Sequence, residues 1–524
     1  MKRFLIILGM VIGIALNGYA QNDKSNRSFD EWQKEAFGEY ENFRSRSSEE
    51  FEKFRRKAIK DYIDFVNNPW KKFKESKPIP RPKDDILPVV KPKDDKQQDS
   101  IVPPVVKPKE DKQQDSIVPP VVKPKEENVV IIEDVIPHLP IEPQPQPIVP
   151  IEEVPVKKEK YLEFAIFGTE ERVRFNNNNP IELNTISEGN VAKMLKRLSD
   201  EKNDNTLVDC LNIRSKLQLC DWAYLMMLKA IGEAAYGAGT NEATLLIAYL
   251  YMQSGYRMRL GSYGNKLYML YASKHCIFDI PSYIIDEDYY YCLEKTPPYL
   301  NISVAKYPNE KSLSLIINEE PLFAMDTTKL MMHSSKKSDL SVSIKSNKNM
   351  LNFYTSYPTS MLGSNYVSRW AMYANIPMPK YIASQVYPQI KEAIKELDQI
   401  AAVNSILNWV QTGFIYEYDD TIWGHDRAFF PEESLYYPYC DCEDRAIMLT
   451  RILRDVLNLN CILIYYPNHL AAGVEITEGT PTGDYIEYDG HRYFVIDGTI
   501  LYGADLGVTM LGMDNGSATI IVLK

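Results

Sequence analysis

Beyond its first 20 residues the chain has no apolar run long enough to span a membrane, so no internal transmembrane helix is expected. It has no glycine-rich phosphate loop, no dinucleotide fingerprint and no metalloprotease helix motif, so the common sequence signatures of those chemistries are missing. Positive charge is not in excess. Sixty Lys and Arg stand against 71 Asp and Glu, a net charge of −11. Nucleic acid and anionic lipid are therefore not expected as general partners. Cysteine is sparse, seven in 524 residues, and odd in number, so complete pairing in an oxidising compartment would still leave one thiol over.

What is present changes character along the chain. Met1–Ala20 combines Lys2 and Arg3 with an apolar core from Phe4 to Leu16 and ends Gly18-Tyr19-Ala20, the pattern of a secretory signal peptide. No Cys follows it, so a lipoprotein-type anchor is not indicated. The expected location is exported: periplasmic, or at or beyond the surface of a bacterial cell. From Phe29 to Phe73 aromatic residues recur every 11 positions. Phe29, Tyr40, Phe51 and Tyr62 are each followed three residues on by Trp32, Phe43, Phe54 and Phe65. Apolar steps of 3, 4 and 4 predict a nearly straight or slightly right-handed coiled-coil helix over 28–75, its Phe29–Phe73 repeat roughly 65 Å long at 1.5 Å per residue. Its stripe is read either as packing against itself or a partner, or as a solvated, marginal helix. Residues 76–158 hold 18 of the 33 prolines and near-copies of Ile-Val-Pro-Pro-Val-Val-Lys-Pro-Lys. That low-complexity composition predicts an extended, disordered linker rather than a core.

From Tyr161 the composition is globular, and two α+β domains are expected, about 159–375 and 376–524. In the first, a helical run from Ala243 to Gly255 precedes strands at Tyr256–Leu260, Lys266–Tyr271 and Cys276–Ile280. Alternation predicts further strands in 299–326 and 339–354. In the second, a helix through 401–411 leads towards Tyr439-Cys440-Asp441-Cys442-Glu443-Asp444-Arg445-Ala446. A helix over 442–457 would bury Ala446, Leu449, Leu453 and Val456 on one face, with Asp441 as its N-cap. Cys461–Tyr466 reads as a buried strand, His469 opens the next, and Asp497 follows a third at 493–496.

A Cys, a His and an Asp thus follow in order, 27 and 28 residues apart. A thiol at a helix N-terminus has its pKa lowered by the helix dipole and the free N–H groups. An imidazole can take its proton, and a carboxylate can fix the imidazole's tautomer. Each residue also has a plainer reading. His469 is compatible with a satisfied strand histidine, and Asp497 beside Gly498 with a turn residue. Glu443 and Asp444 read as charges favouring a helix N-terminus. Cys440-x-Cys442 with His469 lacks a fourth ligand at zinc spacing, so no metal or other cofactor is expected. A Cys440–Cys461 disulfide and two free thiols both remain open. Gln411, 31 residues before Cys442, reads as a surface or packing residue.

The order Asp-Cys-Glu-Asp-x-Ala, then a His entering a strand, then Asp-x-Thr resembles the transglutaminase-like, papain-like cysteine superfamily, over about residues 386–524. The resemblance is to its prokaryotic branch. It implies a papain-like core of helix plus antiparallel sheet, with Cys442 as nucleophile, His469 as general base and acid, and Asp497 as the orienting carboxylate. Cys440 stands where that family usually has Gly, Leu470-Ala471 follows the His in place of Ala-Trp, and Asp497-Gly498-Thr499 replaces Asp-Pro-Thr. The implied function is acyl transfer on a protein or peptide substrate, with hydrolysis by a cysteine protease or amidase favoured over transamidation. A non-enzymatic envelope or assembly protein is the alternative. The first domain repeats the helix-then-strands order. Sliding Ala243 onto Ala446 puts Gly239 where Cys442 stands, with no His in the matching strand, which predicts an inactive, degenerate copy.

Overall fold

Two helix-plus-sheet units follow from two stretches in which an apolar helical run is followed by short apolar strands separated by turn residues. In the computed structural model of the protein, the described residues are 70–81, 128–131, 151, 153, 159–176, 180–200, 204–307, 309–363 and 365–523. They form a mixed α/β structure with eleven helices and largely antiparallel sheets. The expected signal peptide at 1–20, nearly all of the 11-residue repeat and most of the linker lie outside the described residues.

The first unit is built on the helix Asn241–Gln253, whose Thr240 N-cap hydroxyl accepts a hydrogen bond from the Ala243 N–H at 3.1 Å. Its sheet runs Lys71–Lys74, Tyr299–Ile302, Met258–Tyr263, Lys266–Ser273, Asp288–Cys292, Tyr283–Ile285. The second is built on the helix Cys442–Val456. Its sheet runs Val129–Ile131, Thr519–Val522, Cys461–Tyr466, His469–Glu475, His491–Ile496, Tyr485–Tyr488. The two strand orders are the same, position for position. All pairings are antiparallel in both sheets except that of Val129–Ile131 with Thr519–Val522, which is parallel. In each sheet the outer hairpin turns over two residues of positive φ, Asp286-Glu287 and Asp489-Gly490, the backbone a type I′ turn requires.

The halves expected as separate domains share one apolar core that runs from Trp70 to Leu523. The helices Ser368–Asn375 and Lys380–Ile394 bridge them and lie against the Cys442 helix. Three sequence expectations need correction. The coiled-coil helix over 28–75 does not reach its predicted end, because Lys71–Lys74 is a strand paired with Tyr299–Ile302; Pro69 removes the backbone donor a continuing helix needs. The linker contributes an edge strand, Val129–Ile131, to the second sheet. The alternation in 339–354 yields a strand only at Ser341–Ile344. Lys348–Thr355 is a helix, started by the Asn347 side chain accepting from the Asn349 N–H at 3.1 Å. Among the described residues no helix is long and apolar enough to cross a membrane.

Candidate active site

Cys442 is the first residue of its helix, after Asp441 in extended conformation. The Asp444 carboxylate reaches back to the Asp441 N–H at 3.4 Å and accepts a second hydrogen bond from the Phe429 N–H at 2.7 Å. Acids in a first helical turn satisfy donors that have no partner within the helix. The helix buries Ala446, Leu449 and Leu453 as expected, leaves Val456 only half-buried near its end, and packs across the His469 strand.

His469 enters its strand from a two-residue turn, Pro467-Asn468, with Asn468 at φ 65°. A proline followed by a residue of positive φ suits a type II turn. The His469 Nε2–H donates to Asp497 Oδ2 at 2.8 Å, and the two side chains are buried together. The other ring nitrogen, Nδ1, is buried and has no hydrogen-bond partner. With Nε2–H committed to the carboxylate, the neutral ring carries its lone pair on Nδ1. Asp497 Oδ1 accepts from the Thr499 N–H at 2.9 Å and from Thr499 Oγ1 at 2.6 Å. Burial alone would raise this carboxyl. The charge and hydrogen bond of His469 and the two Thr499 bonds outweigh burial and hold it below the ordinary aspartate value.

Two residues tie the helix to the Asp497 loop. Gln411 is buried: its Nε2 donates to the Asp497 carbonyl at 2.8 Å and its Oε1 accepts from the Ala504 N–H at 2.9 Å. The surface alternative for Gln411 is thereby removed. Arg445, one turn after Cys442 and fully buried, donates to the carbonyls of Gln411 (3.2 Å), Gly498 (3.0 Å) and Phe414 (3.1 Å). A Cβ on Gly498 would lie 3.0 Å from the Arg445 Cβ, which accounts for glycine at that point of the loop.

The wall beside the thiol comes from residues 414–441. The strand Ile415–Tyr416 pairs with Tyr439–Cys440 and sets Tyr416 opposite Cys440. Trp423 meets Tyr437 edge-to-face and Tyr437 stacks on Tyr439, with ring centroids 5.3 and 5.8 Å apart. Asp419, Asp426 and Glu443 converge, with Arg369 ion-paired to Asp426 and lying 3.8 Å from Glu443. Asp441, Cys442 and Glu443 form a second group whose donor atoms converge. Either group is spaced to hold a cation, but Arg369 already brings a positive charge to the first. The Cys442 thiol donates to Glu443 Oε2 at 3.4 Å. Among the described residues no disulfide joins any of the seven cysteines, so the Cys440–Cys461 bridge does not form.

Burial is the largest influence on this wall. It pushes Glu432 up to about 8 and Glu433 and Asp444 up to about 7, against hydrogen bonds and, for the last two, the Arg427 charge, which all act downward. A carboxyl that is harder to ionise folded than unfolded binds more protons in the native state. Its contribution is intact at low pH and is lost as pH rises through the folded value. Buried His275 and His333 are held neutral and act oppositely below their unfolded value near 6.5. Thermal stability is therefore expected to fall between pH 6.5 and 8, measured by scanning calorimetry, and Glu432→Gln should flatten that slope. Stability that rises over this window would contradict the assignment.

The structure thus joins His469 to Asp497 directly and sets Cys442 at the start of the helix lying on the His469 strand. Arg445 is legible only as one of several charges on the Cys442 helix and Gln411 only as a surface or packing residue, while Tyr416 and the acids of 419–433 carry no chemical signal of their own. Comparison of the chain with family models, with curated proteins and with solved structures finds no match.

Proposed function

We propose that the protein is an exported, transglutaminase-like cysteine enzyme that hydrolyses peptide or amide bonds through Cys442, His469 and Asp497. The observation that carries this reading is a histidine oriented by a carboxylate at Nε2, its Nδ1 buried and bare, next to a helix that begins with a thiol. The thiol turns from Glu443 and gives its proton to His469 Nδ1. The sulfur then attacks the carbonyl carbon, and the Cys442 N–H at the helix start stabilises the oxyanion. Collapse breaks the C–N bond as His469 returns the proton to the leaving nitrogen. Water, deprotonated by the same imidazole, attacks the thioester and frees the acid and the thiolate. An amine in place of water would give transamidation by the same steps.

A second reading draws on burial: Cys442, His469 and Asp497 are only 6%, 2% and 2% exposed, and the thiol is bonded to Glu443. On that reading the protein is a catalytically silent binding or assembly protein of the cell envelope. Mass spectrometry of the intact protein, quenched in acid after incubation with activated peptide esters, separates the two. The enzyme reading expects an acyl adduct on Cys442, absent in Cys442→Ser. No adduct across a varied ester panel, from protein whose Cys442 is reduced, would favour the silent reading.

A further inference from the structure

The identical strand order of the two sheets allows each residue of the proposed triad to be traced into the first unit by register. Cys442 is the first residue of its helix, and Asn241 is the first residue of the matching helix. His469 opens its strand from a two-residue turn, paired with Tyr466; Lys266 opens the matching strand from a two-residue turn, paired with Tyr263. The turns themselves read Tyr466-Pro467-Asn468-His469 and Tyr263-Gly264-Asn265-Lys266. Asp497 follows the strand whose Ile496 pairs with Ala472. Continuing that antiparallel ladder sets it opposite Ala471, two residues after His469. Glu294 follows the strand whose Cys292 pairs with Leu270. The same continuation sets it opposite Tyr268, two residues after Lys266.

We infer that the chain carries two copies of one core, and that Asn241, Lys266 and Glu294 occupy the places of Cys442, His469 and Asp497. The side chains support the tracing independently of the topology. Lys266 Nζ lies 3.0 Å from Glu294 Oε2, reproducing the pairing of His469 with Asp497 in other residue types. Asn241 reaches both neighbours of Lys266. Its Nδ2 donates to the Asn265 carbonyl at 2.9 Å, and its Oδ1 accepts from the Leu267 N–H at 2.8 Å. Aligning Ala243 with Ala446 makes Gly239 the counterpart of Cys442. The two N-caps, Thr240 and Asp441, move the correspondence two residues on.

This trio has no thiol and no imidazole, so the first copy lacks the two groups that the proposed acyl transfer uses. The copies differ most where the wall is built. Four residues, 237–240, separate the helix Asp221–Tyr236 from the Asn241 helix. The helix Gln399–Gly413 and the Cys442 helix are separated by 414–441, which bring the aromatic stack and the acids. Gly239 and Gly264, at the edge of the first site, are accordingly exposed, whereas the second site is buried.

The test rests on the thiol-activating reading of the second core, so wild-type Cys442 is assayed alongside. In a Cys442→Ser background, the triple change Asn241→Cys, Lys266→His, Glu294→Asp should place a thiol at a helix start beside a carboxylate-held imidazole. Its alkylation at pH 6.5 is expected to be about tenfold faster than in Asn241→Cys, Lys266→Ala, as for a drop of about one unit in thiol pKa. Asn241→Cys alone, with Lys266 kept, should also outpace that Lys266→Ala control. This second comparison decides the matter if the triple variant does not fold. Equal rates in both comparisons would overturn the correspondence. A slow wild-type Cys442 with a fast thiol in the Asn241→Cys variants would instead overturn the proposed function alone.

Discussion

Asp497→Asn is expected to lower the rate of acyl-enzyme formation by a factor on the order of 10³ to 10⁴, with the protein still folded. The carboxylate does two things. It accepts the Nε2–H of His469 at 2.8 Å, which leaves Nδ1 as the basic nitrogen, and it stabilises the imidazolium formed when the thiol is deprotonated. An asparagine amide can turn its NH₂ towards Nε2 and favour the opposite tautomer, with the proton on Nδ1, where it cannot accept one from sulfur. The loop should keep its shape, because the Thr499 bonds and the Gln411 bond to the main-chain carbonyl still have acceptors. Stopped-flow measurement of ester acylation, with a melting curve as control, checks this. A loss below tenfold would remove Asp497 from the set of groups that orient the imidazole.

Arg445→Met is expected to cost about 3–5 kcal/mol of folding stability, the lower part of the range for three buried acceptors that lose their donors. Arg445 has no carboxylate within ion-pair distance among the described residues. Its hydrogen-bond partners are the carbonyls of Gln411, Gly498 and Phe414, which end the preceding helix and begin the loop after Asp497. Removing the guanidinium leaves these buried acceptors without donors, and each such group costs about 1–3 kcal/mol when unsatisfied. Arg445→Lys should recover only part of the loss, since a single ammonium cannot span three carbonyls as the planar fork does. Equilibrium urea unfolding of both variants measures the difference. A loss under about 1 kcal/mol for Arg445→Met, less than one unsatisfied buried acceptor costs, would mean the helix and the Asp497 loop are held together by apolar packing alone.

The second core was legible because its signals are local. Cys442–Val456 has a clear apolar face, Cys461–Tyr466 and His469–Glu475 are short apolar runs split by Pro467-Asn468, and Asp497 ends a β-rich stretch. The wall at 414–441 was not legible, because its acids and aromatics resemble a polar loop until tertiary packing buries them. Glu432 and Glu433 give no hint in sequence that they are enclosed. The shared order of elements in the two units is legible in the sequence, but the residue correspondence proposed above is not: setting Ala243 on Ala446 aligns helix interiors, whereas helix starts are set by N-caps, Thr240 and Asp441. In 339–354 alternation suggested strand throughout, and one capping side chain, Asn347, was enough to start a helix. Val129–Ile131 gave no sign of joining a sheet, because strand addition at an edge depends on a partner almost 400 residues away.

The most direct test of the central claim is the pH dependence of Cys442 alkylation in the folded, non-reduced protein, located by mass spectrometry, with His469→Ala as the control. The account predicts fast labelling of Cys442 well below pH 8, where an ordinary thiol with a pKa near 8.5 is mostly protonated, and loss of that low-pH reactivity in the control. Labelling that follows an ordinary thiol titration, unchanged by His469→Ala, would contradict it.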